Sequence, residues 1–187
     1  MSALAAAVVA ALDPGEATSY DGFGPVTVDV PRERWVEALE AAHAAGAVLF
    51  DLLTAYDLGA NGLAVVVHVA TSDARDHVLV RTTVPGDDAV LATATGVYRG
   101  AAWHERETHE MFGIGFDGNA HLDPLLLPAD FGAAPLRKDF VLAARAARPW
   151  PGDKDPADSG GRARRRTLPP GVPADWPAAG PAPEGGP

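Results

Sequence analysis

No cysteine occurs in the 187 residues, so the chain cannot form a disulfide, hold an iron–sulfur cluster through thiolates or build a Cys-type zinc site. Basic charge is short as well: 15 Lys and Arg face 25 Asp and Glu, a net charge of −10, the opposite of a nucleic-acid binder's footprint. Long apolar runs are missing. The longest stretches, Ala3 to Leu12 and Leu63 to Val69, fall short of the roughly 20 residues that span a bilayer. Met1 to Leu12 lacks a positive n-region, so no secretory signal is expected. No Ser-His-Asp order and no ligand cluster stands out, and this chain is expected to carry no catalytic, cofactor-binding or metal residue of its own.

What is present reads as one soluble domain with a tail. Hydrophobic residues make up 47% of the chain, enough for a packed core at this length. Ser2 to Leu12 has helical composition but is too short to stand alone, and residues 1–24 form an N-terminal helix and loop. Val26, Val28 and Val30 alternate with polar residues as in a half-buried strand. Pro31 opens a helix with the stripe Trp35, Leu39, Ala42 and His43, ended by Gly46. Ala47 to Leu58 and Leu63 to Ala70 read as a hairpin turning at Gly59 to Gly62, and His77 to Val84 as a further strand. Asp87 and Asp88 are placed to cap a short helix from Ala89 to about Thr95. The order βαβββα predicts an α+β, two-layer fold over residues 25–113, with a mainly antiparallel sheet covered by helices. The last 43 residues, 145–187, hold 10 Pro and 7 Gly, too many for regular elements. They are expected to be extended or disordered, with Trp150, Leu168, Val172 and Trp176 as candidate anchors and a basic run at Arg162, Arg164, Arg165 and Arg166 that is expected to be solvated.

The densest information lies in Ala101 to Phe140, AAWHERETHEMFGIGFDGNAHLDPLLLPADFGAAPLRKDF. Ala101 to Phe112 is predicted helical and Gly113 to end it. Trp103, Arg106 or Glu107, and Glu110 or Met111 then share one side, a charged face that wants polar partners. Residues 114–144 form an irregular loop punctuated by Gly and Pro and closing on Pro135 to Phe140.

Glu105-Arg106-Glu107, Met111 to Ile114, Phe116, Gly118, Leu125 to Pro128, Asp130 and Pro135-Leu136-Arg137-Lys138-Asp139-Phe140 together closely resemble a known signature. It is that of the C subunit, the thirty-kilodalton subunit family, of the bacterial proton-pumping NADH:quinone oxidoreductase, respiratory complex I. Departures from that signature fall at Asn119, Ala120, Asp123, Pro124, Phe131 and Val141. The resemblance implies a non-catalytic subunit of the peripheral arm, at the cytoplasmic face of the plasma membrane. It implies partners, the quinone-site D subunit and the iron–sulfur B subunit, with NADH, FMN, iron–sulfur clusters and quinone all held by other subunits. Membrane contact would come only through the complex. Trp103, Glu105, Arg106, Glu107, Phe112, Gly113, Pro135, Leu136, Arg137, Lys138, Asp139 and Phe140 are the expected subunit interface. The two charge groups, Glu105-Arg106-Glu107 and Arg137-Lys138-Asp139, are expected to pair with one another or with a neighbouring subunit, partly buried, where loss of one partner costs about 3 to 5 kcal/mol. Two other assemblies fit the same module: a related hydrogenase or F420-type dehydrogenase complex, and a free-standing interaction protein.

Two literal motif matches point elsewhere. His104 and His109 suggest a zinc-protease helix, but they are five apart where that motif needs four. Gly113 to Gly118 fits G-x-G-x-x-G, yet it follows a helix instead of a strand and is read as turn positions. His43 and His68 are expected as satisfied core or edge residues, and His77 and His121 as loop-side residues without a carboxylate partner.

Overall fold

The computed structural model describes residues 2–140, apart from Phe23 and Asp130. The expectations for the Pro/Gly-rich tail, its aromatic anchors and its basic run lie outside the described residues. In chain order the elements are α1 (Ala3–Ala11), β1 (Thr18–Tyr20), β2 (Val26–Asp29), a 3-10 turn at Arg32–Arg34, α2 (Trp35–Ala44), β3 (Leu49–Asp57), a 3-10 turn at Gly59–Asn61, β4 (Leu63–Ala70), β5 (His77–Val84), β6 (Val90–Ala92), α3 (Ala101–Phe112) and β7 (Gly115–Asp117).

Five strands form one sheet in the order β1-β2-β5-β4-β3. Only the β2–β5 pair is parallel within it; β1–β2, β4–β5 and β3–β4 are antiparallel. Alternation sets its two faces, since successive strand side chains point to opposite sides. Val65, Val67 and Val69 of β4 and Val78, Val80 and Val84 of β5 are fully buried, each contributing about 1.5–3 kcal/mol. They meet Leu4, Ala5 and Val8 of α1 and Trp35, Ala38, Leu39 and Ala42 of α2 in one core. Helix α1 is short, but its first turn is tied twice: Ser2 Oγ accepts the Ala5 N–H at 3.2 Å, and the Asp76 carboxylate accepts the Leu4 N–H at 3.1 Å. The second bond places a negative charge at the helix's positive end.

Three expectations need correction. The segment up to Pro25 contains β1, an exposed edge strand. His43 lies at the exposed end of α2, edge-on to the Tyr98 ring at 5.5 Å, because the buried stripe runs through Ala38 instead. The expected helix Ala89 to Thr95 is strand β6, which pairs in parallel with β7 through Leu91 and Phe116. Asp87 and Asp88 cap nothing there; pairing with a strand on the far side of α3 outweighs the local capping signal. Parallel strands need a crossover, and α3 supplies it, so β6-α3-β7 is a small βαβ unit attached to the main sheet.

Candidate functional site

Helix α3 ends where Gly113 adopts φ +72° and donates its N–H to the His109 carbonyl at 2.8 Å. Its buried face carries Ala101, Glu105, Thr108 and Phe112. Glu105 is wholly excluded from solvent. Its carboxylate accepts the Thr93 hydroxyl and the Ala94 N–H, each at 2.6 Å, and the Asn119 amide at 2.9 Å. Thr93 and Ala94 follow β6 and Asn119 lies just past β7, so one carboxylate pins both strand ends. Three-residue strands are too short to hold by ladder bonds alone. Gly118, φ +92°, is required beside them, since a Cβ there would lie 2.9 Å from Thr93 Cγ2.

The opposite face of α3 grips the loop that follows β7. Arg106 and Glu110, one turn apart, divide its backbone between them. Arg106 donates to the carbonyls of Asp123 and Pro124. The Glu110 carboxylate accepts the N–H groups of Leu125, Leu126 and Leu127 at 3.2, 2.8 and 2.7 Å. Partial desolvation pushes the Glu110 carboxyl up, but these three amides outweigh it and hold the group below its ordinary pKa.

The chain then returns to the C-terminal end of α3. Leu136 N–H donates to Met111 O at 3.0 Å, and the Arg137 guanidinium donates to Gly86 O at 3.2 Å and to Phe112 O at 3.5 Å, a cation at the negative end of the helix. The Lys138 N–H donates to Asp57 at 2.7 Å. That bond, with a second from Gly59 N–H, holds the Asp57 carboxyl below its usual range.

The two charge groups therefore do not pair with one another. Among the described residues, Glu105, Arg106 and Arg137 act on this chain's own backbone and polar groups, because the loop leaves many amides and carbonyls that no ladder satisfies. Phe112 is buried and Gly113 caps the helix. Pro135 and Phe140 are half-buried, Phe140 lying 6.0 Å from Phe131 between ring centres. Lys138 and Asp139 are exposed.

Beside the exposed Glu107, Lys138 and Asp139, large apolar side chains also stand on this surface. Trp103 is 66% exposed, Leu126 60%, Leu136 56% and Phe131 40%. Trp103, His104, Glu107, Leu125 and Leu126 line an open groove of about 290 Å³. A second cavity, about 410 Å³, opens between His109 and the loop residues Leu122, Leu127, Pro128 and Phe131. The two histidines of α3 face separate backbone groups: His104 Nδ1 lies 3.2 Å from Leu53 O and His109 Nδ1 lies 2.9 Å from Ile114 O.

The family model described as "Respiratory-chain NADH dehydrogenase, 30 Kd subunit" matches residues 28–146. The chain belongs to this family. The C/D subunit of NADH-quinone oxidoreductase from Enterobacter sp. (strain 638) is 36% identical over 95 residues, covering 51% of this chain and 16% of that protein. The C/D subunit from Sodalis glossinidius (strain morsitans) is 34% identical over 93 residues, 50% of this chain and 16% of that one. The chain thus spans less than a fifth of the length of these curated relatives. Among solved structures, the trypsin-resistant fragment (1-134) of Nqo5 is similar with a TM-score of 0.51 and 28% identity, over 57% of this chain and 89% of that one. A chain of the membrane-bound sulfane sulfur reductase, an archaeal respiratory membrane complex, has a TM-score of 0.65 at 23% identity, over 80% and 92%, a likeness of fold. The α+β fold with its mostly antiparallel five-stranded sheet is the fold of this family.

Residue types alone missed the burial of Glu105 and the Glu110 cradle. A usable signal was present: Ala101, Thr108 and Phe112 stand at helical spacing from Glu105 and mark its face as the inner one.

Proposed function

We propose that this chain is a non-catalytic subunit of the peripheral arm of a proton-translocating NADH:quinone oxidoreductase. It braces the quinone-site D subunit and the iron–sulfur B subunit while electrons pass from NADH to quinone through FMN and clusters on other subunits. One observation carries the reading: the charges of α3, Glu105, Arg106 and Glu110, are spent on groups of this chain, while Trp103 and Leu126 stand bare beside one groove. Large exposed apolar side chains gathered about a groove mark protein–protein contact. The relatives' name, with C and D joined in one subunit, supports D as a neighbour. Among the described residues no helix is long and apolar enough to cross a membrane, which accords with a peripheral position at the cytoplasmic face of the plasma membrane.

Glu107→Ala tests this best, because its side chain makes no bond in the internal network, and Trp103→Ala, which also removes the ring 6.0 Å from the Arg106 guanidinium, is its partner. The expected outcome is less assembled complex on a native gel. Unchanged assembly with an altered apparent quinone affinity of the intact complex refutes the reading. The fold shared with the sulfane sulfur reductase chain favours one second reading, the equivalent subunit of a related membrane-bound complex. Identifying the electron donor oxidised by the purified assembly separates the two.

A further inference from the structure

On the sheet face turned away from the core, His68 of β4 stands opposite Leu79 and His77 of β5 opposite Ala70, so the two imidazoles are diagonal neighbours across the ladder. His68 Nε2 and His77 Nδ1 are 3.2 Å apart, with ring centres at 5.3 Å and planes inclined at 63°. The remaining nitrogen of His68, Nδ1, lies 2.8 Å from Asp51 Oδ2. Asp51 reaches it from the point where the β3–β4 register shifts between Phe50 and Leu52, an irregularity of the kind that re-aims a side chain. The His68 side chain is only 18% exposed and His77 is half-buried.

This arrangement has the chemistry of a divalent-metal chelate. Two nitrogens bound to one Zn²⁺ at about 2.0–2.1 Å in tetrahedral geometry lie roughly 3.3 Å from each other, close to the separation seen here. A carboxylate on the far nitrogen fixes the tautomer that leaves Nε2 free and raises its basicity, as outer-shell carboxylates do for ligating histidines. We propose that His68 and His77 bind one Zn²⁺ through Nε2 and Nδ1 respectively, with Asp51 as the positioning carboxylate and water filling the remaining positions. Among the described residues no group of three or more ligating side chains is gathered, so this is a two-imidazole site and its affinity is modest. Zn²⁺ is redox-inert, and the site would clamp β4 to β5, with β3 tied in through the Asp51–His68 contact, on the face opposite α1 and α2.

The test is calorimetric titration of ZnCl₂ into the chelator-stripped full chain, purified without a histidine tag. One ion per chain is expected. His77→Asn should weaken binding at least tenfold, Asp51→Asn by about tenfold, the low end of the usual outer-shell effect, and His121→Asn should leave it unchanged. Cu²⁺, which imidazole sites bind more tightly than Zn²⁺, should give a spin-resonance spectrum with two coupled nitrogens in the wild type and one in His77→Asn. In the unmutated chain, imidazole NMR signals of His68 and His77 should shift on adding Zn²⁺. No binding, binding that survives the His68→Asn/His77→Asn double change, or shifts confined to other histidines would each overturn the proposal without touching the subunit reading.

Discussion

The main sheet and the α3-loop segment are held by different physics. Around β4 and β5 the interior is valine against α1 and α2, and stability comes from area removed from water. From Ala101 to Phe140 only the inner face of α3 and the start of the following segment, Ala101, Phe112, Ile114 and Phe116, join that core, and the rest is held by charged side chains placed on backbone groups: Glu105 on the strand ends, Arg106 and Glu110 on the loop, Arg137 on Gly86 and Phe112. Apolar packing is non-directional and tolerates volume-conserving exchange. Charge-assisted bonds fix one geometry each. The first region makes a stable platform, and the second sets the shape of a surface while leaving Trp103, Leu126 and Leu136 outside.

The contrast breaks most visibly in the core. Trp35→Ala, at a fully buried position, should cost about 3–5 kcal/mol and lower the urea midpoint of the whole chain. Glu105→Ala should come next, about 3 kcal/mol, since it strands the Ala94 N–H and the Asn119 side-chain amide at roughly 1–3 kcal/mol each, the Thr93 hydroxyl keeping Thr95 at 2.8 Å; an unchanged midpoint would mean that water replaces the carboxylate. The Glu110 tether should respond to acid. Because its folded carboxyl is the stronger acid, the tether contributes above the unfolded pKa near 4.3 and is lost as pH falls through the lower folded value. Amide-exchange protection at Leu125 to Leu127 should vanish in that window, and in Glu110→Gln it should already be weak at neutral pH. Smallest is Glu107→Ala, which should shift the midpoint by under about 0.5 kcal/mol yet reduce assembly; a large loss of stability there would erase the division between the two regions.

Much of the platform could be read from residue order. Val26 to Val30, the hairpin at Gly59 to Gly62 and the Val78–Val80 alternation announce their strands because burial on one face imposes period two. Gly113 announces the end of α3 because its left-handed backbone suits glycine. Strand β6 could not be read, since its partner Phe116 is distant in sequence and Asp87-Asp88 imitates a helix start. The expectation that the two charge groups pair with one another failed for a related reason: opposite charges suggest each other as partners, whereas unpaired carbonyls and amides, invisible in residue types, claimed Glu105, Arg106 and Arg137 first. The same blindness hid the carboxylate partner of His68, which a register shift in β3 delivers.

His104 settles one further matter. Strand β3 is the last in the sheet, α3 packs against it, and the His104 ring meets the outward N–H and carbonyl of Leu53 at 3.4 and 3.2 Å. A strand from another molecule is therefore refused on that side and finds only three-residue β1 on the other. Serial stacking through the five-stranded sheet needs both of its borders open, and among the described residues that sheet offers one short one.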